Sequence, residues 1–204
     1  MKLLLRTLLV LAPMALSAQG IVGSKHDLST KYGNVDGQVC IFCHTPHQAT
    51  ASIAGPLWNH SASTATTYTT YTNTAGVTAG QPGTMSVACL SCHDGTVAVG
   101  SIINNGGRGN PTWTAALPGY DATGILLPAN VNYVGTDLSN DHPVGVVYPT
   151  TGTKFVAVAS LVGPKLYGGN VECASCHRVH TPTFTPFLRM ANTASALCVA
   201  CHIK

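Results

Sequence analysis

The sequence predicts a chain of mostly irregular coil, with short helices and at most a minor hairpin, wrapped around material that its own side chains do not supply. Three observations lead there. Aromatic residues make up only 6% of the 204, while glycines number 21 and prolines 12. Much of the 45% hydrophobic content is Ala and Val together with an apolar N-terminus, so large side chains are too few to fill an ordinary core at this length. All eight cysteines fall into one repeated spacing. The charge pattern adds exclusions. With 8% charged residues, a formal +3 and no basic cluster, the chain carries no footprint for nucleic acid. No apolar stretch reaches the roughly 20 residues of a membrane span. Eight cysteines are also unusual for a cytosolic enzyme.

Residues 1–20 read as a secretory signal peptide rather than as part of the fold. Lys2 and Arg6 supply positive charge, Leu8 to Leu16 form a short apolar run, and Ser17-Ala18-Gln19-Gly20 supplies small residues for cleavage. The expected mature start is Ile21, with cleavage after Ser17 or Ala18 as alternatives. No cysteine follows the run, so no lipoprotein anchor is encoded there. Without Lys2 and Arg6 the remainder has 8 basic and 7 acidic residues, a formal +1. Residues 21–204 then form the single functional domain.

The repeated spacing carries the chemistry. Cys40-Ile41-Phe42-Cys43-His44, Cys89-Leu90-Ser91-Cys92-His93, Cys173-Ala174-Ser175-Cys176-His177 and Cys198-Val199-Ala200-Cys201-His202 all read C-x-x-C-H. This is the attachment signature of a c-type haem. Both thiols add to the vinyl groups along one haem edge, and the next residue, His, falls beneath the iron as proximal ligand. Zinc sites or disulfides would explain paired cysteines, but not His at the same place four times. From the His content alone, four chance hits have a probability on the order of one in 10^5 to 10^6. The expectation is four haem c groups, each with its iron, bound through Cys40, Cys43, Cys89, Cys92, Cys173, Cys176, Cys198 and Cys201. Export agrees with this, because haem is attached outside the cytoplasm.

Four haems leave about 46 mature residues for each, so loops, short helices and neighbouring haems must cover the macrocycles. Each CxxCH is expected at the start of a short helix. Ser61 to Gly83, rich in Thr, Ser and Ala, and Gly100 to Gly124, rich in Gly and Asn, read as irregular spacers. Val146-Val147-Tyr148 and Phe155-Val156-Ala157-Val158 could pair as the minor hairpin.

The remaining histidines address the ligand state. With His44, His93, His177 and His202 proximal, His26, His47, His60, His142 and His180 are five candidates for four distal positions, and Met85 and Met190 compete. Bis-His ligation throughout is expected; it lowers the potential relative to His/Met and leaves no open position for substrate. His47 and His180 each follow a proximal His by three residues. Positions i and i+3 share one surface, so neither can easily reach the opposite face of its own haem. Each should serve a different haem, drawing two haems together. His60, in a Trp-Asn-His-Ser turn, is the least favoured distal ligand.

The blocks stand in a fixed order. His26 in Ser24-Lys25-His26-Asp27 precedes Cys-x-x-Cys-His-Thr-Pro-His at 40–47. Pro56-Leu57-Trp58-Asn59-His60, Cys-Leu-Ser-Cys-His-Asp-Gly-Thr-Val-Ala at 89–98 and Asp141-His142-Pro143-Val144-Gly145 follow. Cys173 to His180 and Phe187-Leu188-Arg189-Met190 come before the fourth motif. This set resembles the OmcE-like family of tetrahaem outer-surface cytochromes of metal-reducing bacteria, along nearly the whole mature chain. The resemblance implies a multihaem cytochrome c, largely coil, with subunits joined end to end in an extracellular cytochrome filament. An axial His borrowed from a neighbouring subunit goes with such an assembly, with His26 the candidate donor and His142 the second.

Three functions compete. The first is an electron conduit with no catalysis of its own, exported to the cell surface or beyond. Its partners would be identical subunits, donor cytochromes and an extracellular acceptor. The second is a soluble periplasmic tetrahaem shuttle. The third is a multihaem reductase, which needs an open axial position and nearby acid–base groups. Distal candidates exceed the need, and acidic residues are few and scattered, so the sequence favours no enzyme.

Overall fold

The computed structural model describes residues 20–203 apart from 52, 54, 74–77, 151 and 152. Residues 1–19 of the expected signal peptide therefore lie outside the described residues. Every strand is two residues long: β1 Tyr32–Gly33, β2 Thr69–Thr70, β3 Thr112–Trp113, β4 Asp137–Leu138, β5 Val146–Val147 and β6 Asn170–Val171. They pair as β1 with β3 and β5 with β6, both antiparallel, and β2 with β4, parallel. Ladders this short cannot stand alone; they are staples between loops. The helices are α1 Thr84–His93, α2 Cys173–Cys176 and α3 Ala196–Val199, with 3-10 turns at Val158–Ser160 and Thr193–Ser195. Few short helices, small sheets and mostly coil match the fold class expected from composition.

α1 forms where ten residues run without Gly or Pro, and it buries Ser86, Leu90 and Ser91. It stops at Asp94, whose N–H donates to Leu90 O at 2.9 Å, followed by Gly95 at φ +73°. A positive φ one residue past the cap is the usual glycine stop. A side chain there would also meet the Tyr133 ring.

Two small apolar clusters serve as core. One gathers Tyr32, Val35, Ile41, Phe42, Val99, Ile102 and Leu126; the other holds Tyr68, Leu90 and Leu138. The first is built round the two residues inside the first CxxCH, Ile41 and Phe42. Ile21, Ile53 and Tyr148 are buried apart from these clusters, while several large apolar side chains stay outside, Val131 almost completely.

Buried polar struts do much of the remaining work. Asn59 donates through Nδ2 to Ile41 O at 2.6 Å and Asn104 O at 2.9 Å, and its Oδ1 accepts from Asn104 N at 2.8 Å. Tyr148 donates to Val156 O at 2.8 Å, beside the fourth motif.

Three expectations are corrected. The hairpin does not form as drawn: β5 pairs with Asn170–Val171, while Phe155 bridges to His202. The Gly168–Gly169 turn, whose residues both have positive φ and across which Asn170 N–H donates to Tyr167 O at 3.0 Å, turns 170–171 back alongside β5, whereas 158–160 curls into a 3-10 turn. The expectation that each CxxCH opens a short helix holds for the third, where α2 begins at Cys173, whereas the second closes α1 and the fourth overlaps the end of α3. The first is a bare turn in which His44 N donates to Cys40 O at 2.9 Å. The Thr-rich spacer is also tied down, because Tyr68 is buried and Thr69–Thr70 pairs with β4.

Asn59→Ala would leave one buried and two partly buried backbone groups without their partners. The buried one costs about 1–3 kcal/mol and the others less, since water can reach them, so a stability loss of roughly 2 kcal/mol is expected, read by denaturant unfolding of the holoprotein.

Candidate functional site

The four CxxCH segments share one local geometry. Outside α1, the motif histidine donates its N–H to the carbonyl of the first cysteine: His44 to Cys40 at 2.9 Å, His177 to Cys173 at 3.1 Å, His202 to Cys198 at 2.9 Å. This single turn places two thiols and an imidazole on one side of the backbone whatever lies around it.

Three of the four motif histidines are oriented by backbone carbonyls. His44 Nδ1 lies 2.7 Å from Pro56 O, His93 Nδ1 2.8 Å from Asn132 O, and His177 Nδ1 2.9 Å from Pro186 O. A carbonyl accepts only, so Nδ1 carries the proton in each and Nε2 presents its lone pair, the tautomer that a metal ligand needs. His142 has the same kind of contact, Nδ1 to Pro143 O at 3.1 Å.

Distant histidines face these rings. His26 stands 6.1 Å from His93 between ring centroids, with 60° between the planes. His180 stands 6.1 Å from His44 at 22°, and His142 stands 6.4 Å from His202 at 70°. Three of the four proximal candidates thus have a distal candidate opposite. His180 faces the first motif, not His177 beside it. Among the described residues neither His47 nor His177 has another imidazole against its ring, and both are exposed. His47 is nonetheless anchored by its backbone, since its carbonyl accepts from Thr45 Oγ1 at 2.9 Å and Asn104 Nδ2 at 2.8 Å.

His26 is held inside its own chain. Its ring packs edge-on against Phe187 at 4.6 Å, and burial first, then His93, His177 and His180, pushes it down to about 4. Residues 21–31 form successive turns that bring it onto His93 of the same chain. His180 is also lowered, by burial and then by His44 and Arg178. At about 4, the His26 ring stays neutral at pH 7 and keeps a lone pair for a metal, and His180 is shifted in the same direction.

His60 is different. It is 0% exposed, with Nδ1 2.8 Å from Ser61 O, and Nε2 3.1 Å from Ala98 O and 3.4 Å from Cys92 Sγ. Both nitrogens are engaged by protein, and burial lowers its pKa. The residue is a strut between the 59–61 and 98–102 segments, which also bridge at His60–Ile102. Met85 and Met190 stand opposite no motif histidine in any described ring or hydrogen-bond contact; Met190 packs at Gly163.

The eight thiols form no disulfides. Cys43 and Cys92 are each pushed up to about 12, chiefly by burial, and Cys92 adds to the shift of Cys43. Cys89 is raised by its hydrogen bond with Cys173 and by burial. Cys176 is raised by burial and then by Cys201. These neighbours string the motifs in chain order, first to second, second to third, third to fourth.

The arrangement fits haem c. An iron shared by two imidazoles has a metal–nitrogen bond of about 2 Å on each side and about 1.1 Å from nitrogen to ring centre, which sets centroids about 6 Å apart. The three pairs have that separation. Near-parallel rings in face contact would sit at about 3.5–4 Å, so His44 and His180 are not merely stacked. The carbonyl partners at Pro56, Asn132 and Pro186 escaped the sequence reading, because backbone acceptors leave no trace in residue type.

Replacing His60 with Ala should leave the low-spin haem spectrum intact while lowering stability. A new high-spin haem in that variant would instead make His60 an axial ligand.

Residues 167–204 match the family model of the doubled CXXCH motif, which spans the third and fourth motifs here. No curated protein matches the chain. The doubled motif indicates covalent haem c binding and electron transfer in general, and the chain carries the paired signature of a multihaem c-type cytochrome.

Proposed function

We propose that this protein is an electron conduit carrying four bis-His c-type haems, one for each CxxCH. The observation that carries the reading is the set of imidazole pairs at 6.1, 6.1 and 6.4 Å, each joining a motif histidine to a distant one. The ligand sets are His44 with His180, His93 with His26, and His202 with His142. His177 and His47 form the fourth by reciprocity: each motif segment that ends in a second His gives that His to the other. Cys40 and Cys43, Cys89 and Cys92, Cys173 and Cys176, and Cys198 and Cys201 hold the macrocycles. When bound, each haem supplies a one-electron Fe(III)/Fe(II) couple. The protein's part is to fix neutral imidazoles on both sides of each iron, to keep Nε2 free through the Nδ1 contacts, and to bring successive motifs together for transfer. With both axial positions occupied, no substrate is activated, so the protein is not an enzyme.

We further propose that it is an exported, OmcE-like subunit of an extracellular filament, receiving electrons from donor cytochromes and passing them to an external acceptor. Low charge and exposed apolar side chains support this, among them Val22, Leu57, Val147, Val162, Val199 and Ile203. The closing of three ligand pairs within one chain favours a second reading, a free periplasmic tetrahaem shuttle. With His26 serving its own chain, filament subunits would meet through surface contacts.

Two tests follow. Intact mass should exceed the apo chain by four haems with an all low-spin EPR spectrum, and His47→Ala or His180→Ala should each convert one haem to high spin. Three haems, or high-spin iron in the wild type, would sink the ligand reading. Material sheared from cells should contain filaments in electron micrographs that sediment far faster than a 21.1 kDa chain; only monomers there would leave the shuttle.

A further inference from the structure

Two acidic side chains are buried, Asp94 at 1% exposure and Glu172 at 3%. Both lie against α1, the helix that ends in the second motif. Asp94 is the C-cap of α1, directly after His93. Its carboxylate accepts from Tyr68 Oη at 2.8 Å, Thr96 N at 2.9 Å, Thr96 Oγ1 at 2.8 Å and Ser63 Oγ. Glu172 stands at the other end of α1. It accepts from Gly83 N at 3.2 Å and from Ser86 Oγ, and it also caps α2 by accepting from the N–H of Ser175. A side chain at Gly83 would collide with this carboxylate.

Every contact of the two carboxylates is a neutral donor. Among the described residues the one ion pair joins Arg108 to Asp36, far from both in role. Buried anions without a cation are costly, and a protein that only needed polar caps could use Ser or Asn. The charge missing from the pattern is positive. A bis-imidazole haem core carries +1 when oxidised and none when reduced, the iron's two porphyrin charges being already balanced. Fixed negative charge in a low-dielectric interior therefore stabilises the oxidised form over the reduced one.

We propose that Asp94 and Glu172 hold the haem of the second motif at the lowest reduction potential of the four. This rests on the reading of each CxxCH as a haem site. Asp94 abuts that motif alone, while Glu172, next to Cys173, is shared with the third. The first and fourth motifs have no buried carboxylate among the described residues. The other acidic side chains are partly or fully exposed and so screened, and Asp36 is paired with Arg108.

The test is a spectroelectrochemical titration of the intact holoprotein and its Asp94→Asn and Glu172→Gln variants. The most negative wave should move upward in D94N by on the order of tenfold in the oxidised-to-reduced ratio at fixed potential, which is 59 mV for a one-electron couple. E172Q should raise the same wave and also a second one, that of the third motif beside which Glu172 stands. Tyr68→Phe removes a donor but keeps the charge, so it should produce no upward shift; an upward shift as large as in D94N would mean that packing, not charge, sets the potential, and would overturn the proposal. So would an unmoved lowest wave in D94N or E172Q with haem mass and low-spin spectrum intact. If D94N fails to load haem, E172Q decides. Fewer than four haems in the wild type sinks the underlying reading, whereas four haems with an unmoved wave sinks this inference alone.

Discussion

The separation of the paired imidazoles, 6.1 to 6.4 Å, is the constraint on which the rest of this chain depends. Rings that far apart give each other little dispersion energy, so the pairing is not a packing device. Each pair instead joins a CxxCH turn to a segment remote in sequence: His44 to His180, His93 to His26, His202 to His142. Holding such pairs requires long connections that double back, and backbone bent that often has no room for long regular elements. Two-residue strands and helices of one to three turns are the result.

A chain built this way must satisfy its backbone by other means. It does so with side-chain struts from neutral polar residues. Asn59 ties Ile41, inside the first motif, to Asn104. His60 joins two segments beside Cys92. Tyr148 reaches Val156 and, at 3.1 Å, the Cys201 carbonyl. Each strut ends at or next to a CxxCH, so the polar framework and the candidate sites are the same structure. The apolar clusters follow that logic too, since Ile41 and Phe42 lie between the cysteines of the first motif and Leu90 between those of the second.

Electrostatics shape the molecule by scarcity. With one ion pair among the described residues and 8% charged side chains overall, individual buried charges act with little local opposition. The two buried carboxylates at the ends of α1 are the clearest case. Neutral imidazoles complete the picture: burial keeps His26 and His180 below their usual range, and carbonyls fix the tautomers of His44, His93 and His177. In the proposed conduit these features prepare lone pairs and set potentials before any partner arrives.

Much of this was legible in the residues themselves. The fourfold CxxCH is a local covalent pattern, so its chemistry and its one-turn geometry follow from spacing, as the repeated His-to-Cys hydrogen bonds illustrate. That His180 turns away from His177 also follows locally, because residues three apart cannot easily straddle one macrocycle; that it goes to the first motif does not. What the sequence could not decide is which remote segment comes to which turn. His26 lies on a polar stretch that reads as free, yet successive turns from Ile21 to Lys31 fold it against His93 and Phe187. His60 reads as a residue of a loose loop, yet it is fully buried between two carbonyls. Val146-Val147 reads as half of a hairpin, yet it pairs with Asn170-Val171. Asp94 and Glu172 are, in the sequence, only two of a few scattered acids. Their burial, and so their electrostatic weight, arises only when Ser63, Tyr68, Thr96 and Ser86 converge on them. Spacing along the chain determines chemistry within a few residues; long-range placement depends on packing and on hydrogen bonds to backbone carbonyls, which no residue type announces.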